Sequence, residues 1–310
     1  MDVVHSIKGY VGRWWDSGRA TREANAAEAA RGRSDARHWQ DGGGSEGPRG
    51  RLYVAGALIA VSAMLASMLG LAPLIRWLAL PVPAEGDIVL GPLYSVIGSG
   101  LAIVLIVALT RAIGIGVNPH WLGLWNNSVA RLNFTNDKWR LRLRWLGWGL
   151  VGALTFLSLM IACNAVFEWL FGSAGHSGLT ALSSAGSAAV AGYAALAIIA
   201  APFVEETLSR GLVYGFIRRW TGGVIVSRYV AAAVGAIPSA LIFSIGHGYS
   251  FSALVVAAFA GGVVLAVIYE ITGSLWPAIA AHAFYNAVGV SFVVFQEPII
   301  RGLETLVWML

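Results

Sequence analysis

The stretch ALAIIAAPFVEETLSRGLVYGFI, Ala195 to Ile217, sets two carboxylates and a guanidinium, Glu205, Glu206 and Arg210, inside an apolar run long enough to cross a bilayer. A hydrocarbon core takes about 20 helical residues to span, and a charge at its centre costs at least about 2.5 to 3.5 kcal/mol. Three charges in such a run need a protein interior or a functional pocket around them. On a helix of 3.6 residues per turn, Glu206 and Arg210 lie one turn apart and can pair, while Glu205 points about 100° away. Glu206 is therefore expected to be neutralised structurally by Arg210, leaving Glu205 free to face a cavity as a general base.

The rest of the chain repeats the pattern of long apolar runs. Of its 310 residues 57% are hydrophobic and 12% charged, against about 25% charged in a soluble domain, and the mean hydropathy is +0.69. Too little polar surface remains to cover a soluble fold. The runs are rich in Ala, Leu, Val and Gly and lack the ~10-residue alternation of a membrane barrel. The expected fold is all-α, a polytopic transmembrane helix bundle with seven or eight spans. Seven fall at about 53–74, 92–110, 145–171, 186–216, 229–245, 251–271 and 275–295. A last apolar piece, 299–310, either lies at the interface or completes an eighth. Residues 1–50, polar and ending in a Gly-rich stretch, read as a disordered cytoplasmic tail without a cleavable signal peptide. Residues 51–180 are expected to form N-terminal transmembrane helices with a basic loop, and 181–310 a catalytic core.

The net charge of +5 sits in loops beside apolar spans, which argues for cytoplasmic loops and against nucleic-acid binding. The 111–144 loop carries Arg131, Lys138, Arg140, Arg142 and Arg144, Arg218, Arg219 and Arg228 follow the fourth span, and the 172–184 loop has no Lys or Arg. The N-terminus and the basic loops are therefore placed in the cytoplasm. The lone Cys163 reads as a small buried side chain.

Of six histidines, His5, His38, His120 and His176 fall in the tail or loops, and only His247 and His282 lie in or at the ends of spans. Phe243 stands one turn before His247 and can brace it. His282 and Asn286 are one turn apart on one helix face. A glutamate, two histidines and an asparagine thus come from three separate helices.

In this order, E-E-x-x-x-R at Glu205, Glu206 and Arg210, F-x-x-x-H at Phe243 and His247, and H-x-x-x-N at His282 and Asn286 resemble the signature of the CPBP family, the type II CAAX prenyl endopeptidases and their prokaryotic relatives, the Abi or bacteriocin-processing proteins. The resemblance covers roughly the last 120 residues. It implies an intramembrane endopeptidase, in a prokaryotic inner membrane, that acts on a membrane-embedded or lipid-anchored peptide. It further implies that Glu205 and His247 activate water, that His282 and Asn286 donate hydrogen bonds to the oxyanion, and that Arg210 holds Glu206. Family members have also been labelled metalloproteases, and Glu205, His247 and His282 could offer three ligands to zinc. No H-E-x-x-H motif occurs, and the reading adopted is metal-free.

Three other readings compete. Gly175-His-Ser-Gly178 offers Ser177 to a rhomboid-type serine protease. Glu205, Glu206, Asn164 and Glu168 could form the polar path of a transporter. A non-catalytic membrane scaffold or bacteriocin-immunity protein could keep the same polar residues. One geometric difficulty attends the favoured reading. Counted along straight helices from the cytoplasmic ends at about 1.5 Å per residue, Glu205 lies near 20 Å deep, His247 near 28 Å and His282 near 10 Å. A shared site then needs tilted or broken helices, with Pro202, Pro238 and Pro277 as breakers.

Overall fold

In the computed structural model, residues 48–68, 74, 84–119, 121–124, 137–171, 185–225, 227–247 and 252–309 are described. The N-terminal tail, the 172–184 loop with Ser177, and the 125–136 segment lie outside them. Most of the described residues are helical, and none of them is in a strand. In chain order they form α1 (Pro48–Ala66), α2 (Ala84–Ala112), α3 (Asp137–Phe171), α4 (Ser187–Ala195), a π-helical segment π1 (Leu196–Ala200), α5 (Ala201–Glu206), a second π-helical segment π2 (Thr207–Tyr214), α6 (Gly215–Val224), α7 (Arg228–Ile245), α8 (Ala253–Thr272) and α9 (Leu275–Met309).

Five helical stretches are long and apolar enough to cross a membrane: Pro92–Ala112, Leu143–Phe171, Ser187–Val224, Arg228–Ile245 and Ala253–Thr272. Each overlaps an expected span. α1 overlaps the first expected span as far as Ala66, as a shorter apolar helix, and α9 runs through the last one and on to Met309 without a break before Ile299. Large apolar side chains such as Leu58, Val104, Trp169 and Ile199 point outward, while Glu206, Arg210, Ser239 and His282 are buried. That distribution suits a bilayer, where lipid covers the apolar faces and the protein interior holds the polar groups.

α8 packs between α7 and α3, and α9 lies along α3. Glycines set these approaches. A Cβ at Gly261 would sit 2.1 Å from the Phe156 ring, and one at Gly262 would sit 3.0 Å from Ala240 and 3.1 Å from Arg210 Nη2. The adjacent pair therefore admits Phe156 on one side of α8 and Arg210 on the other.

The depth difficulty resolves in two steps. The fourth span ends at Val224 rather than near 216, so Glu205 stands about 28 Å from that end, level with His247 counted from Arg228. α9, in turn, does not start at the level of those ends. Its first residue, Leu275, is fully buried, and its Cδ1 lies 3.3 Å from where a Cβ on Gly211 would be. From Gly211 to Glu205 is about 9 Å of helix, and from Leu275 to His282 about 10 Å, so the two side chains rise to one level.

A deep helix start exposes irregular backbone to an apolar surround, where each unpaired group costs several kcal/mol. The 115–124 segment packs beneath it, and its carbonyls find donors one after another. Arg219 Nη2 donates to Trp121 at 3.0 Å, the Tyr269 hydroxyl to Leu122 at 3.1 Å, the Leu275 amide to Gly123 at 3.2 Å, and Trp276 Nε1 to Leu124 at 3.0 Å. Arg219 also stacks over the Trp121 ring at 3.8 Å. Gly123 and Gly273, at φ +71° and +62°, make the two tight turns, a conformation glycine adopts at no steric cost.

Candidate active site

Glu205 is the second-last residue of α5, a six-residue α-helical piece held between two π-helical segments. Such segments re-aim side chains that a regular helix would point elsewhere. Pro202 sits in the first turn of α5, and the Thr207 hydroxyl bonds back to the Phe203 carbonyl at 2.7 Å. Both features loosen regular α-helical pairing around the glutamates.

The structure brings Glu205, His247 and His282 together. One potential ligand atom from each lies within 4.8 Å of the other two, and His282 Nε2 stands 3.9 Å from Glu205 Oε2. His282 is buried at 2% exposure, whereas the Glu205 side chain is 22% exposed and His247 half-buried. The trio is closed behind His282 and open at Glu205.

Hydrogen bonds fix which ring nitrogen faces the centre. His247 Nδ1 lies 3.0 Å from the Phe243 carbonyl, which can only accept, so Nδ1 carries the proton there and Nε2 is left for the site. His282 Nδ1 lies 3.0 Å from Glu206 Oε1 and donates to it, which turns Nε2 toward Glu205. Glu206 Oε1 also accepts from Arg210 Nη1 at 2.9 Å, and Arg210 Nη2 donates to the Gly262 carbonyl at 3.0 Å. Glu206 and Arg210 both have fully buried side chains. Their pairing is the one read from their spacing. That Glu206 also orients His282 was not legible, because the two residues are 76 positions apart and no local pattern links them.

Phe243 joins these parts. Its ring lies 4.6 Å from the His247 ring, meets His282 edge-on at 5.6 Å, and lies 4.3 Å beneath the Arg210 guanidinium. Phe156, stacked on Tyr285 at 4.1 Å, comes within 6.5 Å of the His282 ring. Asn286, one turn beyond His282, donates its Nδ2 to the Ala197 carbonyl in π1 at 2.7 Å. Ser239, one turn before Phe243, donates to the Ser209 carbonyl in π2 at 2.8 Å. Sequence reading passed over Ser239 and Phe156, although Ser239, Phe243 and His247 share a stripe at four-residue spacing.

Residues 187–288 match the family model described as type II CAAX prenyl endopeptidase Rce1-like. That stretch is similar to a CPBP-family domain. The CPBP match opens with α4 and closes two residues past Asn286, so it contains the three signature motifs and every residue of the trio. Phe156 and the 115–124 segment, which brace the trio and the start of α9, lie outside it. No curated protein and no solved structure matches the chain.

Elsewhere among the described residues, Asn164 donates to the Met160 carbonyl of its own helix, and Cys163 is half-buried. Glu270 accepts from the Tyr214 hydroxyl at 2.5 Å and from Arg218 at 3.0 Å, joining π2 and α6 to the end of α8.

Proposed function

We propose that the chain is an intramembrane endopeptidase that hydrolyses a peptide bond of a membrane-embedded or lipid-anchored peptide, with residues 181–310 as its catalytic core. The observation that supports it most is the convergence of Glu205, His247 and His282 within 4.8 Å, in a family of endopeptidases. Glu205, partly open to its surroundings, takes a proton from water as it attacks the scissile carbonyl. His247, with Nδ1 committed to the Phe243 carbonyl, offers Nε2 to the same water. His282 stabilises the oxyanion from Nε2, which as a donor requires the imidazolium. In that form its other N–H points to the Glu206 carboxylate. A preorganised donor of this type contributes roughly 3 to 4 kcal/mol to acyl-transfer catalysis. Asn286 has at most one N–H for this purpose, the other being held by the Ala197 carbonyl.

The same residues also fit a zinc ion. Each histidine donates Nδ1 to an oxygen acceptor and turns Nε2 inward, the usual arrangement of metal-bound histidine. Glu205, His247 and His282 would hold the ion, which when bound would lower the pKa of a coordinated water and polarise the carbonyl. The two forms differ at His282 Nε2, which carries a proton in one and a metal in the other. The metal-free form is the one proposed, since Glu205, His247 and His282 supply base and oxyanion donor without it.

The surroundings suit a membrane substrate: the trio sits among apolar helices, and the segment that carries Glu205 also exposes Phe203 and Ile199. The N-terminus and the Arg218, Arg219 and Arg228 end are proposed as cytoplasmic, in a prokaryotic inner membrane, with seven or eight spans in all. The test is mass spectrometry of membrane-protein termini from cells expressing wild type or Glu205→Gln. New termini present only with wild type identify the substrate. Identical sets remove the enzyme hypothesis and leave a binding protein.

A further inference from the structure

Pro202 leaves a gap in the helix that carries Glu205, and a side chain from another helix fills it. In regular α geometry the Ala201 amide would donate to the Ala197 carbonyl, four residues back. Here it donates to Leu196, five residues back. The donor then due to Ala197 is the amide of residue 202, and proline has none. The carbonyl is left without a backbone partner in an apolar surround, where an unpaired acceptor is costly. Asn286 Nδ2 supplies the missing hydrogen bond at 2.7 Å.

We infer that Asn286 is a positioning residue for the reaction: its amide replaces the donor that Pro202 lacks, holds π1 in its wide turn, and thereby sets the direction of Glu205. This rests on the hydrolytic reading above and names a part of its machinery. Three observations support it. Glu205 begins only five residues after π1 ends, so a change in that turn rotates the carboxylate. π2, on the other side of the glutamates, is held in the same way by Ser239 on the Ser209 carbonyl. Asn286 and His282 also share a helix, so one bond fixes π1 in register with the ring that faces Glu205.

The test is a double-mutant cycle with Asn286→Ala and Pro202→Ala, each assayed in the full chain reconstituted in lipid. Alanine at 202 restores a backbone N–H that can serve Ala197. Asn286→Ala alone is expected to lower kcat about tenfold or more, as the loss of a buried acceptor's partner implies, with KM little changed. It should also speed amide exchange across residues 196–201. In the Pro202→Ala background the same substitution should cost severalfold less in kcat and leave exchange protection intact. An equal fold-loss in both backgrounds, or unaltered exchange in Asn286→Ala, overturns the inference and leaves Asn286 as a direct contact to substrate. The exchange measurement needs no turnover, and Glu205→Gln run alongside reports separately on whether the hydrolytic reading holds.

Discussion

Glu206 joins two functions that its position in E-E-x-x-x-R does not separate, and a pair of substitutions separates them. Its Oε1 takes a hydrogen bond from Arg210 at 2.9 Å and another from His282 Nδ1 at 3.0 Å, and neither the carboxylate nor the guanidinium is exposed. Glu206→Leu strands the Arg210 charge between the Phe243 ring and the Gly262 carbonyl. Removing one partner of a buried pair costs about 3 to 5 kcal/mol, enough to lower the thermal midpoint sharply in detergent. Adding Arg210→Met removes the stranded charge, and replacing both members of a buried pair by apolar residues is often neutral. Stability should therefore return in the double variant. Activity should not, because His282 Nδ1 still has no acceptor and the ring loses its orientation. By analogy with other histidine-orienting carboxylates, kcat should stay down by about 10² to 10⁴. The assay pairs thermal unfolding with cleavage of the identified substrate in the same preparation. Recovery of both together would mean that Glu206 serves only to neutralise Arg210, and the orienting role would have to be abandoned.

Other consequences follow from the same geometry. Gly261→Ala should destabilise the bundle by about 1 to 3 kcal/mol through overpacking against Phe156, and adding Phe156→Leu should relieve most of it. Equal unfolding midpoints for wild type and Gly261→Ala would contradict that packing. Arg219→Met removes the donor to the Trp121 carbonyl and the stack on its ring, and should increase proteolytic cleavage between 115 and 124 while leaving the trio intact; unchanged protection would mean that other bonds suffice. Stripping metal with a chelator should leave cleavage undiminished and zinc content well below one per chain. Activity lost on stripping and restored by zinc would instead favour the metal-held form of Glu205, His247 and His282.

Much of this arrangement was legible in the sequence because the bilayer imposes length and apolarity on any helix that crosses it. The spans near 92–110, 145–171, 229–245 and 251–271 reappear within a few residues as Pro92–Ala112, Leu143–Phe171, Arg228–Ile245 and Ala253–Thr272. The Glu206–Arg210 pair was legible for a similar reason, being a one-turn relation on one helix. What stayed hidden depends on contacts between distant segments. The fourth span was ended near 216 because Arg218 and Arg219 looked like loop charges, yet both are buried, at 5% and 6% exposure. One is paired with Glu270 and the other bonded to the Trp121 carbonyl. The start of α9 at depth was hidden likewise, because it depends on four carbonyl bonds from a segment about 150 residues earlier. The π-helical turns around Glu205 have Pro202 and Thr207 as local signs, and neither says which side chain fills the gap that the proline leaves.

The central claim is that Glu205, His247 and His282 act as one unit on a single water. Its most direct test is the cleavage rate of the purified chain in lipid with Glu205→Gln, His247→Gln and His282→Gln, singly and combined. Groups that act as a unit are strongly non-additive: each single substitution should cost about 10³-fold or more, and the triple little beyond the worst single one. Losses that multiply across the three sites, or a triple variant that still cleaves, would contradict the account.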